Sequence, residues 1–81
     1  MYLNEKDANL IDGLLTIEFS NQDIIKLARS FESKIKFSCS DDELLSSSTL
    51  DTLFSSIPKL DLLEGIKQIR PDLSNKINTF F

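Results

Sequence analysis

Apolar residues recur at steps of three or four along most of this chain, and the recurrence is clearest in PKLDLLEGIKQIRPDL. There Leu60, Leu63, Ile66, Ile69 and Leu73 stack on one helical face, while Asp61, Glu64, Lys67, Gln68 and Arg70 fill the opposite one. Pro58 precedes the segment and Pro71 follows Arg70, which bounds a helix over about 59–70.

The same periodicity predicts a first helix over about 7–18, with Leu10, Leu14 and Ile17 flanked by Ile11 and Leu15. Asp7 and Asp12 lie toward its N-terminal half, where the helix dipole favours negative charge. Gly13 sits mid-helix, as either a close helix approach or a weak point worth roughly 1 kcal/mol against Ala. Ser20 is placed to cap a second helix over about 21–31, with Asp23 at the reciprocal position of a capping box. Phe19 before the cap is set to staple onto Ile24. Ile24, Leu27, Ala28 and Phe31 form the stripe of this helix, and Lys26, Arg29 and Ser30 face out.

Residues 33–40, SKIKFSCS, break the pattern by alternating, with Ile35, Phe37 and Cys39 on one side. No other segment alternates, so the stretch reads as an extended connection whose apolar side chains turn inward. Asp41, Asp42 and Glu43 open a short third helix with Leu44 and Leu45. The serines at 46–48 read as a flexible connection, after which Ser48 or Thr49 caps a fourth helix over about 49–57, with stripe Leu50, Leu53, Phe54 and Ile57. Pro71 suits the first turn of a last helix, along which Leu73, Ile77, Phe80 and Phe81 continue a stripe. Short connections between amphipathic helices imply an all-α fold, a compact antiparallel bundle of five to six short helices. The 81 residues make one domain, with its core over about 7–81.

Composition narrows the function classes. A hydrophobic content of 41% supports a folded core, and a net charge of −4 argues against nucleic acid and anionic membranes as partners. The single cysteine, Cys39, excludes an internal disulfide and points to a reducing, cytoplasmic setting. The N-terminal residues lack a signal-peptide pattern, and no window approaches the ~18 apolar residues of a membrane span.

Candidate chemistry is sparse. Without histidine the chain lacks the commonest general base and metal ligand. Cys39, in an apolar-alternating run, reads as a small buried thiol rather than a nucleophile. Asp41, Asp42 and Glu43 lack the spacing of a calcium loop and read as a solvated helix start. Gly13 and Gly65 are isolated, so no phosphate loop exists. No catalytic residue, metal site or cofactor is expected.

Charge is nonetheless uneven. Lys26, Arg29, Lys34 and Lys36 make one region net positive, interrupted by Glu32, and Asp41, Asp42, Glu43 and Asp51 make the next acidic. Pointing in different directions, such faces would let one copy dock head to tail on another, growing into rings or filaments unless the rotation closes. Complementary charges would set register and encounter rate more than affinity. Ordinary solvated faces explain the same residues equally well.

LIDGLLTIEFSNQDIIKLARSF, then LDTLFSSI, then LDLLEGIKQIRPDL together resemble the bacterial death-like domains, also called effector-associated domains. The matching positions are Phe19, Ser20 and Asp23 at the first junction, Ile24, Leu27 and Phe31 in the second helix, and Leu62, Leu63, Ile66, Ile69, Arg70 and Pro71 near the end. The resemblance covers roughly residues 10–73, while KIKFSCS and the triple serine depart from it in the middle. It implies a death-fold-like adaptor of bacterial immunity or conflict systems. Such a domain has no catalytic activity and recruits effectors such as proteases or nucleases through like-with-like contacts.

The expected function is therefore a protein–protein interaction domain whose partner is another death-like domain, an effector or a second copy. The alternative is a small acidic regulator, phage-encoded or antitoxin-like, that blocks a basic site on its partner.

Overall fold

Side-chain caps decide where the first three helices begin. In the computed structural model, which describes residues 1–81, Asn4 Oδ1 accepts the Asp7 amide at 2.8 Å and starts α1 (Glu5–Glu18). Ser20 caps α2 (Asn21–Ser30) through a reciprocal box: its hydroxyl accepts the Asp23 amide at 3.2 Å, and Asp23 accepts the Ser20 amide at 3.5 Å. Aspartate thus completes the box that glutamate usually closes. Ser40 and Glu43 repeat the device at α3 (Asp41–Leu44), with bonds of 3.3 and 3.4 Å. Then follow α4 (Ser47–Ser55), α5 (Lys59–Ile69), a 3-10 turn (Pro71–Leu73) and α6 (Ser74–Phe80). The chain is all-helical, with six α-helices, no strand and a radius of gyration of 11.6 Å.

The serine run differs from expectation. Ser47 and Ser48 are helical, and α4 starts after Ser46, whose side chain makes no cap bond to the helix. Hydroxyls inside α4 turn back on the helix instead, Thr52 Oγ1 donating to the Ser48 carbonyl at 2.9 Å. That local bonding makes hydroxyl residues tolerable in a helix interior.

The core gathers one face of every helix: Ile11 and Leu15, then Leu27 and Ala28, Leu44, Leu53 and Phe54, Leu62, Leu63 and Ile66, and finally Ile77. Helix α2 packs on α5, and the 3-10 turn and α6 close over the end of α5. Gly65 allows the α2–α5 approach, because a β-carbon there would lie 2.8 Å from Phe31 Cζ and 3.2 Å from Leu27 Cδ1. Gly13 faces open space, so it is the soft position of the two alternatives.

Periodicity misplaced three apolar side chains. Leu60 is 75% exposed, and Leu62 takes its place in the core. Because α5 is covered both by α2 and by the turn after it, its buried face is rotated toward Leu62, Leu63 and Ile66. Ile17 and Phe80, expected on buried stripes, are 80% and 58% exposed, since both occupy helix ends that no neighbour covers.

Candidate interaction surface

The connection between α2 and α3 is where the chain's charges converge. Phe31 ends α2, and its carbonyl accepts the Lys34 and Ile35 amides, turning the backbone into the extended stretch that leads to Ser40. Ile35, Phe37 and Cys39 are half-buried against the core, while Lys36 and Ser38 point outward, so the alternation in the sequence is kept without a strand. From Lys36 to Ser38, neither the amides nor the carbonyls hydrogen-bond within the chain. Beside this segment and α4 runs a groove of about 430 Å³, with Phe37, Cys39, Leu44 and Leu53 in its walls.

Arg29 ties the two ends of the connection together. Its guanidinium donates to Glu32 Oε1 at 2.8 Å, to Asp41 Oδ1 at 2.9 Å and to the Cys39 carbonyl at 2.8 Å. Its hydrogen bonds to the Asp41 and Glu32 carboxylates raise its pKa above the ordinary arginine value. The basic and acidic regions therefore meet at Arg29 and Asp41 instead of facing apart. Lys34 pairs loosely with Asp61 at 3.7 Å, whereas Lys26 and Lys36 are exposed without an ion pair. Asp42 is likewise exposed and unpaired, and Glu43 is held by its cap on Ser40.

Asp51 leaves this group. It lies with Asp12 along the cleft between α1 and α4, where burial first, and the Asp51 carboxylate second, push the Asp12 pKa upward. Glu5 lines the same cleft, and none of the three acids has a cationic partner.

A second surface escaped sequence reasoning. Leu10, Leu14, Ile17, Phe80 and Phe81 line an apolar groove of about 350 Å³ between α1 and α6. Its rim holds the Lys76–Glu18 pair at 2.5 Å. Periodicity alone assigns these residues to the core; Leu14 and Phe81 do pack against it, whereas Ile17 and Phe80 stay exposed because no neighbour covers them. Arg70 is also more than a surface charge. It donates to the Glu18 carbonyl, chelates Asp72 at 3.0 and 2.8 Å, and stacks 5.9 Å from the Phe19 ring.

No grouping of three His, Cys, Asp or Glu side chains can hold a metal ion, and no helix is long and apolar enough to cross a membrane. No family model matches the sequence, and neither a curated protein nor a solved structure matches it.

Proposed function

We propose that this chain is a non-catalytic interaction module that binds other proteins through the surface around the α2–α3 connection. One observation carries the reading: exposed lysines, exposed carboxylates and an apolar groove adjoin a segment whose backbone is unsatisfied within the chain. Charge of both signs beside apolar surface is the composition of a protein-binding patch, with charge at the rim and apolar contact within. The death-like resemblance gives the module its setting, an adaptor in the bacterial cytoplasm that assembles with its own kind and recruits an effector. Arg29 serves as the hinge of the patch and not as a free contact, because its donors are committed to Glu32, Cys39 and Asp41.

Light scattering across a concentration series, at low and high salt, tests this reading. Assembly that weakens with salt supports it, because exposed charges are screened over ~8–10 Å at physiological ionic strength. Lys26→Glu with Lys36→Glu should weaken assembly without changing the fold. A single-chain mass at every concentration, together with no binding to another death-like domain, would sink it.

A second reading rests on the acidic cleft. Glu5, Asp12 and Asp51 share one face without counter-charges, which suits a small regulator, phage-encoded or antitoxin-like, seated on a basic site of its target. Genomic neighbourhood separates the two readings: adjacency to a protease or nucleotide-binding effector favours the adaptor, and a phage early-gene setting the regulator.

A further inference from the structure

We infer that the extended segment from Lys36 to Ser38 is a docking edge for the same segment of a second copy, paired antiparallel about a two-fold axis at Phe37. The inference rests on the interaction reading above and names its partner and geometry. An extended stretch with unpaired amides and carbonyls is a template for strand addition. Residues 36–38 fit that description, and the groove along α4 leaves the segment uncovered on one side.

The sequence of the segment suits self-pairing. With Phe37 opposite Phe37, Ile35 falls opposite Cys39 and Lys36 opposite Ser38, so no like charges face each other along the extended segment. Lys36 and Ser38 then form the hydrogen-bonded pairs, and the two-fold axis doubles them to about four bonds between copies. Apolar residues stay on the core side of both chains, since an even register preserves the alternation.

Charge complementarity favours this occupant over an unrelated peptide. The basic residues Lys34 and Lys36 precede the centre of the segment, and Asp41 and Asp42 follow it. Antiparallel pairing reverses one copy against the other, so the basic turn that precedes the segment in each chain, with Lys34, lies toward the acidic start of α3 in the second, with Asp42. Arg29 and Asp41 already pair within each chain, which leaves Lys36 and Asp42 as the exposed charges on either side of the segment that a second copy can meet. Such a contact is isologous and closes at two chains, unlike a head-to-tail one.

Sedimentation of the full chain over a concentration series tests the pairing. The wild type should pass from 9.2 kDa to twice that mass and stop there. Ser38→Pro removes an amide that the folded chain does not use, and should weaken the dimer about tenfold or more while the helical circular-dichroism spectrum is kept. Lys34→Glu and Asp42→Lys should each weaken self-association by about tenfold, and an equimolar mixture of the two variants should recover wild-type strength. Undiminished association of Ser38→Pro would overturn strand pairing and leave the interaction reading standing. Growth beyond two chains would overturn the closed contact. A single-chain mass throughout would remove both the pairing and the self-assembly on which it rests.

Discussion

Lys59, in the first turn of α5, reaches back to Asp7 in α1 with a 2.9 Å ion pair between two largely covered side chains. The same lysine donates its backbone amide to the Met1 carbonyl at 2.8 Å and lies 5.4 Å from the Phe81 ring. One residue thus joins the N-terminal segment, the first helix and the C-terminus. Asp7 is the one charged residue in the buried set.

Breaking that pair leaves its partner poorly solvated. Because both groups keep some water contact, the cost falls below the 3–5 kcal/mol of a fully buried pair, at about 1–2 kcal/mol. Lys59→Met and Asp7→Asn should each lower the urea midpoint by a comparable amount. The double variant should lose less than the sum, since the second change removes a charge already orphaned. A double-mutant cycle measures the coupling, and strict additivity would show that the pair contributes nothing.

The two glycines should respond with opposite signs to alanine. Gly13→Ala meets nothing within 4 Å and should gain up to about 1 kcal/mol from helix propensity. Gly65→Ala drives a β-carbon to 2.8 Å from Phe31, and the repacking should outweigh the propensity gain by about 1 kcal/mol or more. Equal stabilisation of both in chemical denaturation would refute the close α2–α5 approach.

Stability should depend on pH through Asp12. Its folded pKa is raised, by burial and then by Asp51, so the folded state holds the Asp12 proton more tightly than the unfolded chain does. The resulting stabilisation is complete below the ordinary value of 3.8 and is lost as pH rises through the folded pKa. Near neutrality the pair opposes folding. Asp51→Asn should therefore raise the urea midpoint at pH 7, with the gain shrinking as pH falls toward 3.8. A gain independent of pH would mean the carboxylates do not interact.

Ile17 and Phe80 stand out from the fold, and their removal should scarcely affect it. Ile17→Ser and Phe80→Ser should change stability by no more than about 0.5 kcal/mol, the usual range for surface positions. They should lower the tendency to bind the hydrophobic dye ANS. A large loss of stability would instead place these side chains in the packed core.

The amino-acid sequence by itself determined where the second and third helices start, because a cap needs only groups three residues apart, whereas α1 begins at Glu5 behind an Asn4 cap, two residues before the start that apolar spacing set. Ser20 with Asp23, and Ser40 with Glu43, can be read directly from the chain. It determined the all-helical class, since apolar spacing of three and four dominates, and the extended form of residues 36–40, although residues 33–35, expected to be extended too, complete the turn on the Phe31 carbonyl. It also set the order of basic and acidic residues around that connection. Only the tertiary structure decided which apolar residues are buried: periodicity defines a stripe, but burial requires another helix to cover it. Leu62 is therefore inside while Leu60, Ile17 and Phe80 are outside. Tertiary packing likewise gave Gly65, not Gly13, the close approach, and joined Asp7 to Lys59 across the chain. It also bound Arg29 to Asp41, making two separate charge runs a single surface. Each of these depends on long-range juxtaposition, which local spacing does not encode.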